Sequence, residues 1–271
     1  MSSTALRDRH STLTRRDLLG FAARGAAGVV VSQSLLGCAA GDVTGTTSTD
    51  TTSTGATNGT ASGSTSSSCV LTASLTEGPY FVDEKLLRAD IRSDPVTGVV
   101  SQGVPLSLTF NVTRVANSAC TPLTGAYIDV WHCDAGGTYS DVSGNGNGTG
   151  GTGKKFLRGY QITDANGQVA FQTIYPGWYS GRAVHIHFKL RLFAGASKTY
   201  EFTSQFFMDE TLTTTVHALS PYSAKRTRDT LNTTDGIYNS LSAAQKAALT
   251  LQTSKTADGY AGIINLGVNV G

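Results

Sequence analysis

The stretch Tyr179-Ser-Gly-Arg182-Ala-Val-His185-Ile-His187 gathers the residue types best suited to chemistry in this chain. A His-x-His pair on a β-strand turns both imidazoles to one face, because successive side chains alternate. Imidazoles bind many metals, whereas phenolates suit a hard, electron-poor ion such as ferric iron. Tyr179 lies six residues before His185 across a glycine-containing turn, so its phenol can swing back toward the strand end. Arg182, three residues before the pair, reaches the same region. Upstream, Trp131-His-Cys-Asp-Ala-Gly-Gly-Thr-Tyr139 runs from a strand into a glycine-loosened loop that ends in a second Tyr. Each residue also has a plainer reading: a histidine pair on a strand surface, or a tyrosine packing its ring at a sheet edge. His132, adjacent to Trp131, faces the other way and reads as a hydrogen-bonded sheet histidine. Gly144 to Gly153 lacks a following Lys-Ser/Thr, which argues against phosphate binding. It reads as a rim at the mouth of a site.

Such side chains need strands to hold them. Pro105–Val115 alternates apolar and polar residues as a half-buried strand does, and Ala126–Trp131 follows it. Leu157–Ile162 and Val169–Ile174 flank Asp164-Ala-Asn-Gly167, a turn signal that predicts a hairpin. His185–Leu192 and Tyr200–Phe207 predict a second hairpin around Gly195, and Gly259–Val268 a closing strand. Only Leu241–Leu251 reads as helix. The expected fold is all-β, a β-sandwich core with long loops and little helix.

Residues 1–37 read as a leader: Thr14-Arg15-Arg16-Asp17-Leu18-Leu19 is a twin-arginine signature, followed by an apolar run to Leu36. Leu35-Leu36-Gly37-Cys38 reads as a lipobox that would lipidate Cys38, the alternative being ordinary export with a coincidental cysteine. Residues 38–68 are rich in Ser, Thr and Gly and cannot bury a core, so they read as a spacer, and residues 69–271 as one domain. The formal charge of +2 falls to −1 once the leader's five arginines and two aspartates are set aside, which argues against nucleic-acid binding. An exported address permits a disulfide. Thr124–His132 reads as one extended strand, too long for Cys120 to fold back onto Cys133, so Cys69 is the partner expected for one of the two.

Taken together, Thr76-Glu-Gly-Pro-Tyr-Phe81, Val130–Tyr139, Phe156-Leu-Arg-Gly-Tyr-Gln161, Thr173-Ile-Tyr-Pro-Gly-Trp-Tyr179 and Arg182–His187 resemble the intradiol ring-cleavage dioxygenases, and their exported single-domain branch most closely. The resemblance spans about Leu75 to Val268. It implies a non-haem enzyme that cleaves catechol-type rings between the two hydroxyls with O2, giving cis,cis-muconates. It implies Fe(3+) held by Tyr139, Tyr179, His185 and His187, with Tyr175 the competing tyrosine. Arg182 would face negative charge on the substrate ring, Gln205 would line the pocket, and Gly78, Pro79 and Tyr80 would form a pocket wall. The family often has a longer link between the second tyrosine and the arginine; here it is Ser180-Gly181, implying a more open pocket, and with no obvious extra basic residue for a ring carboxylate it implies catechol-like or bulkier lignin-derived catechols rather than protocatechuate. The helical dimerisation region of the intracellular relatives is replaced by the spacer, implying a monomer that meets the membrane only through Cys38. Two rival readings remain at this point, a metal-free sandwich binding module and a zinc hydrolase built on the His-x-His pair.

Overall fold

A computed structural model describes residues 70–117, 119–144, 147 and 149–271. The twin-arginine leader, the Cys38 lipobox, the spacer and Cys69 lie outside the described residues. Nine strands are described, β1 (Pro105–Ala116), β2 (Ala119–Pro122), β3 (Tyr127–Trp131), β4 (Arg158–Ile162), β5 (Gln168–Ile174), β6 (His185–Ala194), β7 (Ser197–Phe207), β8 (Gln252–Lys255) and β9 (Tyr260–Val268). Between β7 and β8 lie three α-helices, α1 (Glu210–His217), α2 (Gly236–Asn239) and α3 (Ala243–Leu249), with a 3-10 turn (Tyr222–Ala224) after α1. The strands form two sheets, one ordered β2-β1-β9-β8 with β5 also paired to β1, the other ordered β4-β3-β6-β7. The predicted all-β sandwich is what these residues form.

The core lies between the sheets. Leu106, Leu108, Phe110 and Val112 of β1 point inward every second residue and are buried, while Ser107, Thr109 and Asn111 face out. Phe110 meets the rings of Phe171, Phe188 and Phe206 edge-on at 5.8 to 6.0 Å, drawing both sheets onto one aromatic cluster.

Two expectations fail. The Asp164–Gly167 turn forms, with the Asp164 carboxylate taking the amides of Asn166 and Gln168 and Gly167 at φ +72°. Yet β4 and β5 do not pair as a hairpin: β5 joins β1 in one sheet and β4 joins β3 in the other. The turn signal reports a local reversal, and this reversal carries the chain from one layer to the other. The strand expected over Thr124–His132 shrinks to Tyr127–Trp131, because Gly125 at φ +75° bends the chain. Cys133 is buried and free while Cys120 is disulfide-bonded, so the two are not joined to each other. The predicted helix is present as α3, opened by a capping box between Ser242 and Gln245. The predicted β6–β7 hairpin pairs from His185↔Phe207 to Ala194↔Ser197.

Strand β6 is buried on both faces. Ile186, Phe188 and Leu190 enter the core, and His185, His187, Lys189 and Arg191 line the opposite, outer face. That face is roofed by residues 72–88. This arm bonds edge strand β7 through Leu75 N–H to Thr203 O (3.0 Å) and leaves along edge strand β4, where Tyr160 N–H meets Leu86 O (2.8 Å). Between those edges it crosses the sheet, held by an ion pair of Glu77 with Lys189 and one of Asp83 with Arg191 (2.9 Å). Crossing from edge to edge also covers backbone that would otherwise invite another strand. Among the described residues no helix is long and apolar enough to cross a membrane.

Candidate metal centre

The outer face of β6 is where the chemistry-bearing side chains meet. His185 Nε2 lies 3.0 Å from His187 Nε2, 3.2 Å from the Tyr179 hydroxyl and 3.5 Å from the Tyr139 hydroxyl. All four expected ligands therefore converge on one point. His185 Nδ1–H donates to the Ala183 carbonyl at 2.6 Å, which leaves the Nε2 lone pair facing the cluster. His187 is clamped face to face against Trp131, ring centroids 4.9 Å apart. Burial drives the His185 pKa down to about 3 and holds His187 well below its usual value, so both rings stay neutral, the form a metal ligand needs. The same burial raises both tyrosines, a shift that a bound cation would reverse by favouring the phenolates. Two neutral imidazoles and two phenols fit a hard trivalent ion, since two phenolates cancel most of its charge.

Tyr175 is excluded from this cluster: its hydroxyl pairs with Thr213 at 2.7 Å. His132 is also spoken for, with Nδ1 on the Cys133 carbonyl and Nε2 on Thr173 at 2.6 Å. Among the described residues no group of three or more His, Cys, Asp or Glu could hold a metal. The third histidine or carboxylate that a zinc hydrolase would need is thus missing from the described part of the site.

The roof touches the cluster directly. Tyr80 stacks on Tyr139 at 4.4 Å and meets Tyr179 edge-on at 5.7 Å. Gly78 sits at φ +69°, and a Cβ there would come within 3.4 Å of His187 Cε1. Glycine is needed because this left-handed backbone lies against the His187 ring. Pro79 and Tyr80 follow Gly78 in a turn.

Arg182 and Gln205 stand beside the donors. The Arg182 guanidinium donates to the Gln205 carbonyl oxygen at 2.7 Å and, through Nε, to Asp235 at 2.8 Å. Gln205 in turn donates to Thr76 O at 2.7 Å, which fixes which end of its amide faces the arginine. The Ser180-Gly181 link is a tight turn, with Gly181 at φ +83°.

Several residues that hold the site were not apparent from sequence. Asn147 pins the backbone of Tyr139, accepting its N–H at 2.6 Å and donating to its carbonyl at 3.0 Å. Arg158 is buried and ties Ser140 to the Tyr80 carbonyl. Lys225 bridges the Gly136 and Trp178 carbonyls, 2.8 and 2.6 Å, joining the two tyrosine-bearing loops. Arg158 does lie in a recognisable run, Phe156–Gln161, but nothing in the run signals which carbonyls it would reach.

Comparison with known proteins agrees with this geometry. Residues 76–231, more than half the chain, match a family model described as "Dioxygenase". An intradiol ring-cleavage dioxygenase from Tetranychus urticae is 30% identical over 74% of this chain and 95% of its own, with a TM-score of 0.61. The chain belongs to the intradiol ring-cleavage dioxygenase family. The dioxygenase domain of a dioxygenase carbohydrate-binding protein fusion from Streptomyces sp. SirexAA-E is another structural match, 25% identical over 74% of this chain and all of its own, TM-score 0.51. No curated protein gives a significant match. In this intradiol dioxygenase-like chain the matched region contains all four donors, Arg182 and Gln205, and stops before Asp235.

Proposed function

We propose that this protein is a ferric intradiol dioxygenase that opens catechol-type rings between their hydroxyls with O2 to give cis,cis-muconates. The observation that carries the reading is the meeting of two imidazoles and two phenols around His185 Nε2 within 3.5 Å. Tyr139, Tyr179, His185 and His187 would hold the iron, which when bound supplies a Lewis acid and template that make a chelated catechol reactive toward dioxygen. Tyr179 Oη would take one catechol proton, a role that its burial, which raises its affinity for a proton, supports. The Arg182 fork presents fixed N–H groups to negative charge on the ring, an electrostatic role of the oxyanion-hole kind. Tyr80 and the Gly78-Pro79 turn, which lie against Tyr139, Tyr179 and His187, would wall the substrate side.

Twin-arginine export, a Cys38 anchor, the spacer and a monomeric domain extend the proposal to a cell-surface enzyme acting on catechol-like or bulkier lignin-derived catechols. Purified protein loaded with iron should be wine-red from phenolate-to-ferric charge transfer, with a visible band that moves on adding catechol and a muconate product by absorbance. A colourless protein that binds stoichiometric zinc and leaves catechols intact would sink the reading.

A further inference from the structure

The ring-facing arginine has a partner that the family match does not reach. Asp235 is fully buried, on the segment between β7 and β8, 53 residues from Arg182 in sequence. One carboxylate oxygen takes both Arg182 Nε (2.8 Å) and the Ala183 amide (2.8 Å). The other caps α2, accepting from Ile237 N (2.7 Å) and Tyr238 N (2.9 Å). The backbone amides around this carboxylate hold it in place, and it takes Arg182 at Nε while Gln205 takes it at Nη2. Burial works to raise its pKa, but the Tyr238 and Ala183 amides and the Arg182 charge outweigh it and hold the carboxyl below its usual range.

The same segment tethers the rest of the turn in order. Tyr222 donates to Tyr175 O (2.7 Å), His217 to Pro176 O (3.0 Å) and Lys225 to Trp178 O (2.6 Å), and Gly181 N–H donates to Asp229 (3.2 Å). These contacts run along the chain from Tyr175 to Gly181, and Asp235 takes the last two residues, Arg182 and Ala183. A two-residue link between ligand and arginine leaves little of the turn's own packing to fix the guanidinium, so an outside anchor must do so.

We infer that Asp235 is a positioning residue that sets the orientation of Arg182 for ring cleavage, and that the segment from α1 to α2 serves as the clamp on the Tyr179–Arg182 turn. The inference rests on the dioxygenase reading above. Asn at 235 keeps an oxygen for the α2 cap, but its NH2 would face two donors, Arg182 Nε and Ala183 N, and release the arginine. A misplacement of about 1 Å costs on the order of 100-fold in rate.

The test is a double-mutant cycle in the full chain loaded with ferric iron: wild type, Asp235→Asn, Arg182→Gln and both together. Iron content, the resting visible band, thermal midpoint, kcat on catechol and the anaerobic catechol titration are read for each. Asp235→Asn is expected to keep iron and the resting band, alter the catechol-induced band shift, and lower kcat by at least about tenfold. The double variant should lose no more than Arg182→Gln alone, because both changes remove one function. Losses that multiply, or a coloured Asp235→Asn enzyme with wild-type kcat and band shift, overturn the positioning role while leaving the dioxygenase reading intact. Activity that falls only in step with lost iron overturns it also, assigning Asp235 to stability alone. Asp235→Glu, which keeps the charge, should recover part of kcat; no recovery in a protein that has kept iron counts against the proposal. A wild type that neither colours nor cleaves catechol overturns the dioxygenase reading and the positioning role with it.

Discussion

Tyr139 and Tyr175 are both fully buried tyrosines, yet their surroundings give them opposite roles. The Tyr139 hydroxyl opens onto His185 Nε2, whereas the Tyr175 hydroxyl is used up by Thr213. Replacing each with Phe removes the same oxygen and almost no volume, so the pair separates a ligand from a packing residue. Tyr139→Phe should bleach or weaken the charge-transfer colour and cut catechol turnover by more than tenfold, a loss of transition-state stabilisation above about 1.4 kcal/mol. Tyr175→Phe should keep colour and kcat and cost about 1 kcal/mol of stability through the lost hydrogen bond. Visible spectra and urea denaturation of the two variants decide it, and equal bleaching would refute the ligand assignment. Likewise His185→Ala should lose iron in a metal assay, because it removes the nitrogen at the centre of the cluster.

The arm over residues 72–88 turns one strand face into a closed site, and the ion pairs under it differ in depth. Arg191 forks onto Asp129 at 2.7 and 2.9 Å and also reaches Asp83. Asp129 is buried and Asp83 lies near the rim, and burial pushes the Asp129 pKa up to about 6 against the pull of Arg191. Arg191→Met would strand the Asp129 carboxylate, at a cost of about 3–5 kcal/mol near pH 7.5. That cost should shrink toward pH 5 as the stranded group takes a proton. Asp83→Asn should cost less than about 1 kcal/mol, since a part-exposed pair is screened. Denaturant titrations giving equal losses would contradict this ranking. The arm also marks the limit of what sequence conveys about an element. Alternation along β6 announced two faces, and the Thr76–Phe81 run announced a wall. Neither said that the arm crosses the sheet edge to edge. In the same way Asp164–Gly167 announced a reversal but not that β4 and β5 part into different sheets, because pairing partners are decided by the whole core rather than by the turn. Asp235, Lys225 and Asn147 stayed hidden for a related reason: a polar residue in a loop looks alike whether it faces water or a ligand-bearing backbone.

At the scale of the molecule the smaller sheet has its inner face in the core and its outer face in the candidate metal centre, so one strand serves packing and chemistry together. Together with His132 beside β3 and His217 at the end of α1, its His185 and His187 make four buried or half-buried imidazoles, each held below the usual histidine pKa by burial. The sign of their effect follows from linkage. An unfolded histidine titrates near 6.5, whereas His132 in the folded protein resists protonation until about pH 4. Between those values the unfolded state binds more protons, so stability is complete above about pH 6.5 and drains away as pH falls toward the folded pKa. His132 alone would remove on the order of 3 kcal/mol by pH 4, and the other three act in the same direction. Iron-free protein should therefore lose unfolding free energy steadily from pH 6.5 to 4.5, as read by urea denaturation at constant ionic strength. Iron should raise the whole profile but steepen its fall, because holding His185, His187 and the two phenols unprotonated leaves the folded state binding still fewer protons, and metal affinity itself drops with pH. A flat profile for the iron-free protein across that window would mean that these imidazoles are not buried as neutral bases, and would undo the electrostatic account of the site.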